Sequence, residues 1–132
     1  MYLLDTNILS FAARGETNVL DQLAEHWNST FWCDVSLAEF EYGYAIVAAT
    51  NPDRAQHLRE NNEEITNNLP KIEVDSQAFA LFGRLKFDLK KNPIEDLDTL
   101  MAATALAHNL TLVTDNTKHF ARVPNLKIEN WK

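Results

Sequence analysis

MYLLDTNIL, residues 1–9, indicates the fold class, because it places an acid directly after a very short apolar segment. Residues 2–4 have the apolar character of a buried strand. Asp5 then offers a side-chain oxygen that can cap a helix running through Ala12. A strand that ends in an acid and leads straight into a helix is typical of the first unit of an α/β protein.

Three later segments also place an acid where an apolar segment ends or a helix begins. They are SLAEFEYG at residues 36–43, DTLMAA at residues 98–103 (beginning with the acid itself) and LVTDNT at residues 112–117. The carboxyl ends of parallel strands meet at one edge of a sheet, and ligands bind there in such folds. We therefore expect four acids to converge at that edge, namely Asp5, Glu39, Asp98 and Asp115. Carboxylates gathered in this way commonly hold hard divalent cations such as Mg²⁺ or Mn²⁺.

The remaining chain alternates between the two kinds of element. Runs of apolar and β-branched residues predict strands at 30–35, 71–74, 110–113 and 126–129. Helices are predicted between them, including one from Asp98 to Ala107, with Pro52 in the first turn of another. The alternation predicts a single α/β domain over residues 1–132, with helices on both faces of a central, mostly parallel sheet of four to five strands.

Composition sets the broad class of the protein. The chain has 132 residues, of which 45% are hydrophobic and 23% charged, as in ordinary globular domains. Its longest apolar stretch, near residues 44–49, is far too short to cross a bilayer, and no secretory signal opens the sequence, so no membrane association is expected. Cys33 stands alone and permits no intrachain disulfide, which predicts a cytoplasmic location.

The net charge of −7 disfavours a protein that coats nucleic acid by neutralising its phosphates. It is compatible with a metal-dependent nuclease, because bound cations can bridge an acidic protein to a phosphate. An acidic surface can equally receive a basic protein partner.

Each acid also has a purely structural interpretation. Asp5 can be a helix cap, Glu39 can close a capping box with the amide of Ser36, Asp98 can favour its own helix dipole, and Asp115 can cap the following turn. One such cap contributes only about 1 kcal/mol. Four carboxylates buried together without cations would be costly, so the combination favours a metal site.

Other motifs are weaker. Residues 96–99, DLDT, are similar to the nucleophile motif of aspartate-phosphorylating phosphatases, but the polar segment 92–95 precedes them where that chemistry needs an apolar strand. Glycine occurs only at positions 15, 43 and 83, so a glycine-rich phosphate loop is absent. The four histidines do not have a metal-binding spacing and are expected at the surface or at helix caps.

The segments resemble the motifs of the PIN domain family, and most closely the toxins of VapBC-type toxin–antitoxin pairs. The matching segments, in order, are Leu3–Asn7, Ala38–Gly43, Asp98–Ala103 and Val113–Thr117, and the ending at residues 123–131 is also similar. In this register the family glutamate falls on Glu39 and not Glu41. The third family acid falls on Asp98 and not Asp96.

This resemblance implies a PIN-like three-layer α/β/α fold and an endoribonuclease that cleaves RNA phosphodiester bonds with Mg²⁺, or with Mn²⁺ in its place. It implies silencing by a cognate antitoxin and assembly as a homodimer. The catalytic and metal-binding residues would be Asp5, Glu39, Asp98 and Asp115. The residues that support them or bind substrate would be Thr6, Asn7, Thr114, Asn116 and Thr117. The alternatives are a non-catalytic PIN-fold module that binds RNA or protein and, less favoured, a metal-dependent phosphatase.

Overall fold

A five-stranded parallel sheet forms the centre of the molecule in the computed structural model, which describes residues 1–132. The strands are β1 (Tyr2–Leu4), β2 (Thr30–Cys33), β3 (Lys71–Ile72), β4 (Thr111–Val113) and β5 (Ile128–Glu129). Their order across the sheet is β3-β2-β1-β4-β5, and every neighbouring pair is parallel. The predicted parallel sheet of four to five strands is confirmed, and it has five.

Seven α-helices connect and cover the strands. They are α1 (Thr6–Ala13), α2 (Thr17–Glu25), α3 (Val35–Ala48), α4 (Pro52–Thr66), α5 (Ser76–Asp88), α6 (Asp96–Ala107) and α7 (Thr117–Phe120). Local signals explain several of their ends. Asp75 accepts a hydrogen bond from the backbone N–H of Ala78 at 2.9 Å and so caps α5. Gly15 follows α1 with a φ of 81°, the left-handed conformation that glycine adopts without strain.

The two faces of the sheet bury separate apolar clusters. Leu3 on β1 packs on one face with residues of α5 and α6, among them Leu85 and Met101. Leu4, the next residue, packs on the other face with Ile8 of α1 and with residues of α2 and α3. Successive side chains of a strand point to opposite faces, so this alternation covers the sheet on both sides. The predicted three-layer α/β/α architecture is confirmed. None of the helices is both long and apolar enough to pass through a lipid bilayer.

The order of the strands in the sheet reverses direction at β1, and this reversal positions the site. From β1 the sheet extends through β2 and β3 in one direction, whereas β4 and β5 lie on the other side. Asp5 directly follows β1 and Thr114 directly follows β4, and the N–H of Asp5 donates to the carbonyl of Val113 at 2.9 Å. The crevice beyond the carboxyl ends of two such strands is where open α/β sheets bind ligands.

Two helices near this crevice begin earlier than predicted. Helix α6 begins at Asp96 and not Asp98, because Glu95 has extended backbone angles and its carbonyl already accepts the N–H of Thr99 at 2.9 Å. Asp98 therefore lies within the first turn of α6. Helix α3 begins at Val35, so Ser36 lies inside the helix. The third strand, predicted to reach residue 74, ends at residue 72, and the fifth begins at residue 128 in place of 126.

Candidate metal centre

Asp5 is the most deeply buried acid at the crevice, with only 4% of its surface exposed. One carboxylate oxygen accepts the backbone N–H of Thr6, the first residue of α1, at 2.9 Å, so Asp5 takes the predicted N-cap position. The other oxygen accepts the hydroxyl of Thr114 at 2.8 Å. Burial raises the pKa of Asp5, and these two hydrogen bonds oppose that rise. The carboxylate is therefore held in one orientation by the ends of two adjacent strands.

Glu39 approaches Asp5 from the first half of α3. Its Oε1 accepts the hydroxyl of Thr6 at 2.8 Å, and the same hydroxyl lies 2.8 Å from the Oγ of Ser36. A capping box with Ser36 is excluded, because Ser36 lies within the helix and Glu39 is bonded across to α1. Burial raises the pKa of Glu39, and the negative charges of neighbouring acids, Asp5 foremost, raise it further.

Asp98 completes the cluster from the first turn of α6. Burial, followed by the negative charges of Asp5 and Glu95, raises the pKa of Asp98 to about 6. The alternative acid, Asp96, is exposed, and its carboxylate pairs with Lys86 at 3.0 Å. The structure therefore brings Asp98, and not Asp96, into the group with the other acids.

These three carboxylates together form a set of oxygen donors suited to a cation. Asp5, Glu39 and Asp98 each offer one carboxylate oxygen, and the three oxygens lie within 4.8 Å of one another. None of the three acids takes part in an ion pair with lysine, arginine or histidine. The carboxylates are at least partly buried, and no cationic side chain balances their charge. All the donor atoms are oxygens, which is the ligand set that a hard divalent cation such as Mg²⁺ or Mn²⁺ prefers.

The fourth predicted acid, Asp115, lies outside this group in the structure. Its side chain is exposed and accepts a hydrogen bond from the side-chain amide of Asn130 at 3.1 Å. Glu95 lines the same cavity as the cluster instead, and its charge acts on both Glu39 and Asp98. Sequence reasoning did not propose Glu95. Its spacing of three residues from Asp98, which places both acids on one side of a helix start, is the signal that could have found it.

The other predicted site residues divide into three groups. Thr6 and Thr114 hold carboxylates directly, as described above. Asn7 and Asn116 line the cavity, and the N–H of Asn116 donates to the hydroxyl of Thr114 at 3.0 Å. The side-chain amide of Asn116 also lies 2.7 Å from Nδ1 of His119, which is exposed, within the predicted range of surface or helix-cap positions, and also lines the cavity. Thr117 is exposed and does not line the cavity.

The acid cluster lies at one end of an open groove of about 560 Å³ between α1, α3 and α4. Side chains at intervals of three or four residues line it from α1 and α3, as expected for one face of each helix. Gly43 lies among them on α3. Helix α4 is fixed against α3 by a hydrogen bond of 2.9 Å from Asn62 to the hydroxyl of Tyr44. Arg59 adds two hydrogen bonds of 2.8 Å to the carboxylate of Glu41.

Comparison with known proteins identifies the family. The sequence model of the PIN domain matches residues 2–126. Ribonuclease VapC2 of Rickettsia felis is 31% identical over 99% of this chain and 98% of its own length. The tRNA(fMet)-specific endonuclease VapC of Salmonella typhimurium is 27% identical over 98% of this chain and 97% of its own length.

Solved structures agree with the sequence relatives. A chain in the crystal structure of VapBC2 from Rickettsia felis bound to a DNA fragment from their promoter superimposes with a TM-score of 0.84 at 29% identity. DNA-bound VapBC from Salmonella typhimurium gives a TM-score of 0.85 at 25% identity. Each alignment covers 99% of this chain and 98% of the other. This chain belongs to the PIN domain family and, within it, to the VapC ribonucleases.

Proposed function

We propose that residues 1–132 form a single-domain, metal-dependent endoribonuclease that acts as the toxin of a VapBC-type toxin–antitoxin pair. The observation that carries this proposal is the convergence of Asp5, Glu39 and Asp98 at the end of an open groove. The names of the relatives, a ribonuclease and a tRNA-specific endonuclease, support RNA as the substrate.

Asp5, Glu39 and Asp98 would hold Mg²⁺, with Mn²⁺ able to replace it. When bound, such a cation supplies a water of lowered pKa and positive charge to offset the phosphate oxygens. Thr114 and Thr6 keep the carboxylates of Asp5 and Glu39 in fixed orientations, so the donor oxygens need little rearrangement on binding.

A fourth carboxylate would add a further oxygen donor for the cation or for its bound waters. Asp115 stays a prediction from its place after the fourth strand and from the family resemblance, and Glu95 is the candidate that the cavity lining favours. Both are exposed side chains, and each needs only a change of rotamer to alter its distance from the cluster.

The alternative of an aspartate-phosphorylating phosphatase lacks structural support. Its nucleophile motif would have to follow a buried strand, whereas Asp96 and Asp98 lie in the first turn of α6. The carboxylate of Asp96 also forms an ion pair with Lys86 at the surface. The non-catalytic binding module requires no cluster of partly buried, repelling carboxylates, so it leaves the main feature of the site unexplained.

We also infer a small antitoxin partner, since the related VapBC structures are toxin–antitoxin assemblies. A basic side chain of that partner would enter the acid cluster and replace the cation, because a guanidinium can bind a carboxylate through two hydrogen bonds. The net charge of −7 favours a basic partner. Assembly as a homodimer and a cytoplasmic location stay predictions. If the antitoxin exists, purification of the protein from its native host should recover a small basic protein bound to it. Recovery of the chain without such a protein would contradict the inferred antitoxin.

The nuclease activity is tested by cleavage of total cellular RNA with the purified protein. We expect cleavage with Mg²⁺ or Mn²⁺ and none with EDTA. Asp5→Asn should abolish it while the fold persists, because asparagine is an equally good helix cap. Asp21→Asn makes the same change on the exposed side of α2 and should leave cleavage unaffected. Undiminished cleavage by Asp5→Asn would refute the assignment, and hydrolysis of p-nitrophenyl phosphate in place of RNA would favour the phosphatase.

A further inference from the structure

We propose that Arg14 binds a backbone phosphate of the RNA at the end of the groove remote from the acid cluster, and so positions the strand for cleavage. This inference rests on the proposed ribonuclease function and deepens it. Arg14 would be a positioning residue, because it acts on a part of the substrate that does not react.

The placement of Arg14 follows from the geometry of α1. Thr6, Ser10 and Ala13 line the groove along one side of this helix, and Arg14 follows its last residue. Asp5 precedes the first residue of the same helix. Nine residues at about 1.5 Å per residue place the two positions roughly 13 Å apart along the helix axis. A phosphate at Arg14 is therefore a different one from the phosphate at the acids.

The distribution of charge in the groove favours such a contact. Four of the lining residues are acids, namely Asp5, Glu39, Glu95 and Asp98. Arg14 is the only lysine or arginine that lines the groove, and the other basic side chain there belongs to His119 near the acid cluster. A cation bound among the acids can bridge to one phosphate, but the neutral side chains that line the rest of the groove offer no positive charge to the next phosphates along the strand. Arg14 supplies the positive charge that they lack.

The side chain of Arg14 is also free to make this contact. It is exposed and belongs to none of the ion pairs of the molecule. Its guanidinium carbon lies 5.0 Å from the centroid of the Phe11 ring, a cation–π contact that restrains the side chain without using its N–H donors. Arg59, in contrast, donates two hydrogen bonds to Glu41. A planar guanidinium with free donors is well suited to a phosphate.

The test measures steady-state cleavage of a single-stranded oligoribonucleotide, containing a site that the wild type cuts, at a series of KCl concentrations with constant Mn²⁺. The variants are Arg14→Gln, Arg14→Lys and the control Arg84→Gln. Arg84 lies on α5, its side chain is 77% exposed, and its only ion pair is a surface contact of 3.7 Å with Asp88. The control therefore makes the same change in net charge outside the groove. Thermal melts verify that every variant is folded.

We expect Arg14→Gln to raise KM roughly three- to tenfold with little change in kcat, because the contact is equally strong before and during the reaction. The slope of log(kcat/KM) against log salt should become shallower by about 0.7, the value for one phosphate contact to a single strand. Arg14→Lys should restore most of the slope, and Arg84→Gln should match the wild type.

Several outcomes would overturn the inference. An unchanged KM for Arg14→Gln, an equal effect of Arg84→Gln, or a loss confined to kcat would each show that Arg14 does not hold a phosphate, while the ribonuclease function stands. Wild-type protein that cuts no RNA refutes the proposed function, and the role of Arg14 with it.

Discussion

Replacing Asp98 by asparagine should stabilise the protein at neutral pH in the presence of EDTA. The pKa of Asp98 is about 6 in the folded state, against an ordinary value of 3.8. Because this acid binds its proton more tightly when folded, the free energy of unfolding falls as pH rises from about 4 to 6 and stays low above that range. Removing the charge removes this penalty.

The magnitude follows from the shift in pKa. A difference of about two units corresponds to roughly 3 kcal/mol, at about 1.4 kcal/mol per unit. The side chain of Asp98 is only half-buried, so screening by water should reduce the destabilisation to about 1 kcal/mol. For a chain of this length the melting temperature would then rise by about 3 to 5 °C. At about pH 3 to 4 the carboxyl is protonated in the folded state and increasingly so in the unfolded chain, so the gain should shrink there.

Asp96→Asn is the matched control, because it makes the same change two residues away on the exposed side of the helix. It loses a surface ion pair with Lys86, which contributes about 1 kcal/mol at most. Melting by circular dichroism with and without Mn²⁺ compares the two. At 100-fold excess over its dissociation constant the metal should add about 2.7 kcal/mol to the wild type and to Asp96→Asn, but much less to Asp98→Asn. The reverse pattern would show that Asp96 is the ligand. Destabilisation by Asp98→Asn at neutral pH in EDTA would refute the electrostatic reasoning.

Two further predictions concern the residues around the cluster. Thr114→Val removes the 2.8 Å hydrogen bond to Asp5 without changing the volume of the side chain, so Mn²⁺ affinity by isothermal titration should fall about 10- to 100-fold. Thr117→Val, at an exposed position, should match the wild type, and equal losses in both variants would contradict this role for Thr114. If Glu95 is the fourth carboxylate, as the cavity lining favours, Glu95→Gln should weaken Mn²⁺ binding more than Asp115→Asn does. A larger loss in Asp115→Asn would show that Asp115 is the fourth carboxylate, as the family resemblance implies.

Much of the fold could be predicted because its signals are local. The caps at Asp5 and Asp75, the proline that begins α4 and the glycine that ends α1 all act through neighbouring backbone groups. Alternation of strands and helices then restricts the sheet to parallel pairing with helices on both faces. The starts of α3 and α6 lie one and two residues before the predicted ones, at local backbone hydrogen bonds that no side-chain cap marks. Ser36 lies inside α3, and its hydroxyl oxygen is 2.8 Å from the hydroxyl oxygen of Thr6.

The family and the α/β architecture could be predicted from the residues alone, and the four acids expected to converge include the three that do, because Asp5 directly follows β1 and Glu39 and Asp98 lie near the starts of α3 and α6. Only the tertiary structure decided that Asp115 lies apart, that Glu95 lines the cavity, and that Arg14 ends the same groove. These facts depend on the packing of α1, α3, α4 and α6 against one another. The distances between residues on different helices are set by side chains far apart in sequence, and no local pattern of residues encodes them.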